Sequence, residues 1–225
     1  MTARLAPAAV ALATAALLAR AAAAQTPQQI VDRAAAAYAQ MRTARVTFTQ
    51  TVSNPLTNRD VASAGVMIQQ IPGRYRVTFT QPKGDRIISD GKTVWVYLPS
   101  TNPGQVMKLP VREGGNGVPD FTAYLLNAPK ERFSLADGGA TTVNGHNAHT
   151  VLLTPKVGGI PFTKARIWVD DTNGLVRQFE TTDVNGGMRR VRIESIDMNV
   201  PVEAALFTFT PPSGVKVVDA SGVGT

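Results

Sequence analysis

The chain of 225 residues has no cysteine, two histidines, 6% aromatic residues and only 16 acidic ones. Without cysteine there can be no disulfide, no thiol nucleophile and no thiolate metal site, nor an acylatable residue at the end of a lipoprotein signal. His146 and His149 lie together in Asn144-Gly145-His146-Asn147-Ala148-His149, a turn leading into a strand, with no third ligand near them in sequence. They read as a solvated hairpin edge rather than a metal site. Asp170-Asp171-Thr172-Asn173-Gly174 lacks the spaced acids and terminal Glu of a calcium loop, and reads as a turn. Gly114-Gly115-Asn116-Gly117 lacks the Gly-Lys-Ser/Thr ending and following long helix of a phosphate loop. No pair of carboxylates stands out for acid/base work. Arg74/Arg76 and Arg190/Arg192 form basic rows, but no aromatics interleave with them as stacking on bases would require. The expectation is therefore a protein that is not an enzyme, has no catalytic residues, metal or cofactor, and binds no nucleic acid.

Long apolar runs are also missing beyond the first residues. Met1–Ala24 reads as a secretory signal peptide: Arg4 supplies the positive start, Leu5 to Leu18 an uncharged core too short to span a bilayer, and Ala22-Ala23-Ala24 a small-residue cleavage pattern. Cleavage before Gln25 is expected. Removing Arg4 and Arg20 with this segment takes the formal charge from +7 to +5, a mildly basic surface. Nothing rich in Pro, Gly or Ser divides the remainder, so residues 25–219 are expected to form a single domain, with 220–225 as a frayed tail. A chain of this size buries roughly 70% of its unfolded surface and needs no staples. The expected product is an exported, freely soluble protein, taken as a monomer.

What is present is one helical signal followed by a long strand pattern. Thr26-Pro27-Gln28-Gln29 combines a hydroxyl cap, Pro at the first helical position and Gln three residues after the cap. Ile30, Val31, Ala34, Tyr38 and Met41 then recur at helical spacing over Pro27–Arg42. From Ala44 the period becomes two. Val46, Phe48 and Val52 alternate with Thr47, Thr49 and Thr51, and Tyr75, Val77 and Phe79 alternate with Arg74, Arg76, Thr78 and Thr80. Further strand candidates are Ala64–Gln69, Arg86–Ser89, Thr93–Leu98, Gln105–Leu109, Phe133–Asp137, His149–Thr154, Ala165–Asp170, Val176–Thr182, Met188–Ile196 and Phe207–Phe209. Turn signals at Asp90-Gly91, Asn144-Gly145, Asn173-Gly174 and Asn185-Gly186-Gly187 separate several of them. Two short helical breaks are expected, at Pro119–Asn127 carrying Phe121, Tyr124 and Leu125, and at Val202–Leu206. The chain is thus mainly β with a few helices, an antiparallel sheet curved into a barrel or part of one. Its concave apolar face must be covered, and the helices are the candidates.

Five collinear motifs then resemble the LolA family, the periplasmic carriers of outer-membrane lipoproteins. They are Phe48-Thr49-Gln50, Tyr75 to Pro82, the hairpin Ile88-Ser89-Asp90-Gly91-Lys92-Thr93-Val94-Trp95-Val96-Tyr97, Leu153-Thr154-Pro155-Lys156, and Phe207 to Val215. The resemblance implies an incomplete (open) antiparallel β-barrel of about eleven strands covered by about three α-helices, with acyl chains of a lipoprotein held between sheet and helices. It implies an acyl-chain cavity lined by Phe48, Tyr75, Val77, Phe79 and Trp95, and a lid carrying Tyr38, Phe121, Tyr124 and Leu125. It also implies loading by an inner-membrane ABC-type release complex and delivery to an outer-membrane receptor lipoprotein. One position departs from the pattern. Where well-studied members have an Arg that latches the lid, this chain has Ile71, and Arg74 is the candidate substitute. Two other readings of the same fold stay open at this point, a lipoprotein-sensing regulatory module and a general lipid or glycolipid binder.

Overall fold

The computed structural model describes residues 25–111, 125–126 and 129–220. Helix α1 (Pro27–Ala39) starts where the capping signal puts it. The Thr26 hydroxyl accepts the Gln29 N–H, and the Gln29 side chain accepts the Thr26 N–H, so two donors of the first turn are satisfied reciprocally. Ile30, Val31 and Ala34 are fully buried, and their spacing makes them a single stripe on the helix.

Six strands follow as an antiparallel meander: β1 (Thr43–Asn54), β2 (Arg59–Gln70), β3 (Arg74–Gln81), β4 (Arg86–Asp90), β5 (Thr93–Tyr97) and β6 (Gln105–Pro110). The short helix α2 (Pro129–Arg132) leads into a second meander of β7 (Phe133–Val143), β8 (His146–Pro155), β9 (Lys164–Asp170), β10 (Val176–Thr182) and β11 (Met188–Met198). A 3-10 turn (Ala204–Phe207) and β12 (Lys216–Asp219) complete the order. Strand β11 pairs back onto β1, which fuses the two meanders into one 12-stranded sheet ordered β12-β6-β5-β4-β3-β2-β1-β11-β10-β9-β8-β7. Strands β7 and β12 lie at its margins and do not pair with each other, so the barrel is open. Asn144 and Gly145, both at positive φ, make the tight β7–β8 turn that Asn-Gly predicts.

Register carries the inner face across the sheet. Ile87 lies opposite Val77, Val77 opposite Met67, Met67 opposite Val46 and Val46 opposite Ile196. A parallel row runs from Val191 through Phe179 and Ile167 to Val151. Directly opposite residues share a face, so these rows are one continuous apolar surface. At β1–β11 the register slips between Thr47 and Phe48, so that Glu194 is an extra residue and bends the sheet. Helix α1 seats its buried stripe on this surface over β7, β8 and β9.

Two expectations change. The sheet has a twelfth strand, and it is not Phe207–Phe209, which ends the 3-10 turn and continues as irregular chain. The extra strand β12 runs parallel to β6, and its four residues are mostly exposed, so it has no dry face for an alternation to reveal. Most of Pro119–Asn127 falls outside the described residues; within it, Leu125 is helical, as is the neighbouring described residue Leu126, and both are buried.

Gly65 lies between Phe48 and Phe79 in register, and those rings meet edge to face across it at 6.0 Å. A Cβ at Gly65 would sit 2.7 Å from the Thr78 carbonyl oxygen and 3.1 Å from Phe48 Cζ. Gly65→Ala is expected to destabilise the fold by about 1–3 kcal/mol through overpacking, seen as a lower urea midpoint at unchanged slope.

Candidate functional site

Alternation puts Phe48, Tyr75, Val77 and Phe79 on the inner face, and the structure brings all four to one apolar cluster. Phe48 and Val77 are buried, while Tyr75 and Phe79 are half-buried at its margin. Between this cluster and α1 lies a cavity of about 30 Å³ lined by Tyr38, Phe48, Met67, Phe179, Val191 and Ile193, among others. Among the described residues, α1 and the inner-face side chains leave little room at this end of the sheet. Gln69 is a buried polar residue on this wall, and its amide donates to the Met41 sulfur at 3.3 Å.

Trp95 lies elsewhere. Ile87, on the inner face, opposes Val96, whereas Trp95 opposes Ile88, and so the indole falls on the outer face. There it packs on Phe209 at 5.6 Å between ring centres. The Arg86 guanidinium sits 5.3 Å from the Tyr97 ring centre and 5.8 Å from that of Phe209, and Arg76 donates to the Leu206 carbonyl at 3.3 Å. The C-terminal segment therefore covers the back of β3–β5. Both faces of the β4–β5 hairpin are apolar, so alternation assigns Trp95 to neither face.

Arg74 also stands off the inner face. It is exposed, alternates outward with Arg76 and lies opposite Asp90 in register. Ile71 contributes its backbone, its N–H donating to the Arg42 carbonyl at 2.8 Å. Helix α1 is tied down instead by its own residues to the turn between β9 and β10. The Tyr38 hydroxyl accepts the Val176 N–H at 3.2 Å, and Arg33 reaches the Asp170 carbonyl at 3.4 Å and the Asp171 carboxylate at 3.5 Å. Burial pushes the Tyr38 phenol up to about 12, against the lowering effects of the Val176 hydrogen bond and of Arg177. Of the other lid residues, Leu125 is buried in the same apolar cluster as α1, and Phe121 and Tyr124 lie outside the described residues.

The turn that receives α1 is itself braced by Asp170. Its Oδ2 accepts two bonds from Arg177, at 2.7 and 2.8 Å, and its Oδ1 accepts the Thr172 N–H at 2.7 Å. Burial raises the Asp170 pKa, but the Thr172 and Asn173 N–H groups and the Arg177 guanidinium outweigh it and hold the carboxyl below the usual carboxylate range. His146 Nδ1 lies 3.1 Å from the same Oδ2. His149 pairs separately with Asp137 at 3.0 Å. Among the described residues no group of three or more His, Asp or Glu could hold a metal ion.

Alternation alone does not say which face of a strand is inner, so Met67, Phe179, Val191 and Ile193 do not stand out in the sequence as cavity wall although their strands are legible. Only the pairing of β2 and β11 with β1, and of β10 with β11, assigns them.

A helix-covered, open β-barrel with a largely apolar inner face is the architecture of a binding fold. The model of the LolA family, described as outer membrane lipoprotein carrier protein LolA, matches residues 39–210, and the chain belongs to that family. It is 29% identical to an outer-membrane lipoprotein carrier protein of Dechloromonas aromatica over 180 residues, 79% of this chain and 81% of the relative. It is 28% identical to the protein of that name from Chromobacterium violaceum, over 91% and 95% of the two chains. An uncharacterized conserved protein from Thermus thermophilus shares the fold, with a TM-score of 0.54 at 15% identity, covering 87% of this chain and 99% of that one. A lipoprotein-carrier role follows at the level of the family.

Tyr38→Phe leaves the Val176 N–H without its partner and is expected to cost about 1 kcal/mol; hydrogen exchange at the Val176 amide should rise by roughly fivefold, the same energy expressed as a rate. Asp170→Asn breaks a buried ion pair and should cost about 3–5 kcal/mol at neutral pH. Because the folded-state pKa is lowered, this stabilisation is present above the unfolded pKa of about 3.9 and is lost as pH falls through the folded value. Urea midpoints measured from pH 7 downward should therefore fall more steeply for the wild type than for Asp170→Asn.

Proposed function

We propose that the protein is a non-enzymatic soluble carrier of the periplasm, exported on the Met1–Ala24 signal, which holds the acyl chains of lipoproteins and moves them from the inner to the outer membrane. The observation that carries this reading is the largely apolar inner face, covered by a helix whose fully buried side chains are Ile30, Val31 and Ala34 in one stripe. Lifting that stripe re-exposes apolar surface worth roughly 4–7 kcal/mol. Each methylene taken out of water returns about 0.8 kcal/mol, so roughly five to nine methylenes offset the displacement of α1 and any longer chain tips the balance. The polar ties at Tyr38 and Arg33 are few, and each is modest. The helix can therefore serve as the lid, and the carrier's grip is set by a difference between two burials.

Such a grip suits a cargo that must be surrendered where no nucleotide is available. Apolar contact is non-directional and leaves no buried charge to be stranded when the ligand departs. The partners in this reading are an acylated lipoprotein as cargo, an inner-membrane ABC-type release complex as donor and an outer-membrane receptor lipoprotein as acceptor. Among the described residues no helix is long and apolar enough to cross a membrane.

Native mass spectrometry of the protein purified from an envelope extract is the direct test. Co-purifying acylated protein is the expected result, and free lipid alone would replace the cargo. Tyr75, half-buried at the margin of the inner face, is the position to perturb, since a charge at the buried Val77 would damage the fold itself. Tyr75→Glu should keep its unfolding midpoint within about 1 kcal/mol of wild type while losing most of the bound cargo; normal loading of this variant would show the inner face to be misassigned.

A further inference from the structure

The inner face does not end at Phe48, Phe179 and Val191. Farther along the same strands the inner row continues with Val52 on β1, Thr181 on β10 and Arg189 on β11, where Arg189 is the register partner of both others. These side chains line a cleft of about 360 Å³ at the end of the strands away from Tyr38. Its other walls are Pro55 and Leu56 of the β1–β2 turn, Phe162 before β9 and Met188 of β11. Phe162 is buried, stacks on Phe133 with ring centres 6.0 Å apart and belongs to the inner apolar cluster, so one ring borders both cleft and interior. The contrast with the 30 Å³ beneath α1 is tenfold, and it exists while the helix is seated.

The chemistry of this cleft is that of an amphipathic ligand. Apolar walls meet the Arg189 guanidinium, whose charge is partly desolvated there. Asp183 also borders the cleft, but its Oδ1 accepts the Asn185 and Gly187 N–H groups at 2.8 Å each and is committed to its own turn. Leu56 is 84% exposed at the lip, and Val184, in the adjoining turn, is 77% exposed. Large apolar side chains held in water at the edge of an apolar cleft are placed where a hydrocarbon chain would cover them.

We propose that this cleft is a preformed subsite for one long acyl chain with an anionic or carbonyl head at Arg189, occupied while α1 remains closed. It rests on the lipid-carrying reading above and adds to it a second station on the same strands. The chain enters against Val52, Leu56 and Met188, and its far end points toward Phe162 and the interior.

The test uses the full mature chain with two photoreactive probes, a fatty acid and a diacylated lipopeptide, each bearing a diazirine at the chain end, and maps labelled peptides by mass spectrometry. Label within residues 52–56, 161–162 or 187–189 is the expected result. Val52→Trp, which fills the cleft, should cut that label roughly tenfold, and Leu56→Asp, at an exposed turn where folding is not at stake, should do so in the same direction. Wild type should also prefer the fatty acid to the matching fatty alcohol, and Arg189→Gln should erase that preference. Labelling by the fatty acid alone keeps the subsite and assigns it to free lipid. Label confined to the neighbourhood of Phe48, Met67 and Ile193 overturns the subsite and leaves the carrier reading standing; no label anywhere overturns both.

Discussion

An apolar sheet face cannot be left facing water, and everything else in this molecule answers to that constraint. The row from Ile87 through Val77, Met67 and Val46 to Ile196, with its companion from Val191 to Val151, spans strands that are far apart in sequence. Burying it demands a cover. Helix α1 supplies part of that cover with three buried side chains, Leu125 and Leu126 supply more, and beside Tyr38 they leave about 30 Å³. A cover of this kind is thermodynamically replaceable, because any hydrocarbon that fills the same surface satisfies the same demand.

The two sides of the sheet solve different problems. On the inner side the contacts are mostly apolar and non-directional. On the outer side, Phe207 and Phe209 pack over the back of β3–β5, with Arg86 over the Tyr97 and Phe209 rings and Arg76 on the Leu206 carbonyl. Those contacts combine aromatic packing with directional bonds, which hold one arrangement. On the carrier reading proposed above, a back held in this way lets the front change its cover without the strands losing register. Asp170 does the same for the lid's anchor point: paired with Arg177, it stiffens the turn that Tyr38 and Arg33 grip.

How much of this can be read from the residues depends on how local each feature is. The α1 cap at Thr26, the strands bearing Val46–Phe48 and Tyr75–Phe79, and the Asn144-Gly145 turn are written in adjacent residues and are legible. Whether Trp95 faces in or out depends on which residue opposes it across a hairpin, and the alternation in Thr93–Leu98 is apolar on both faces. The lid's fastening is hidden for the same reason. Tyr38 and Val176, or Arg33 and Asp170, are brought together only by the closure of β11 onto β1, a pairing that no local pattern announces. Strand β12 leaves no trace in the pattern because its four residues have no dry side.

The unpaired margins at β7 and β12 carry one more consequence. A sealed cylinder of strands has its radius dictated by strand number and stagger, so its bore is a constant of the architecture. A cylinder slit along its length has no such constant: the two lips can part or approach by small changes of twist distributed over many strands, at little cost to any single ladder bond. On the carrier reading proposed above, the bore then becomes elastic, and cargoes of unequal girth can share a single container.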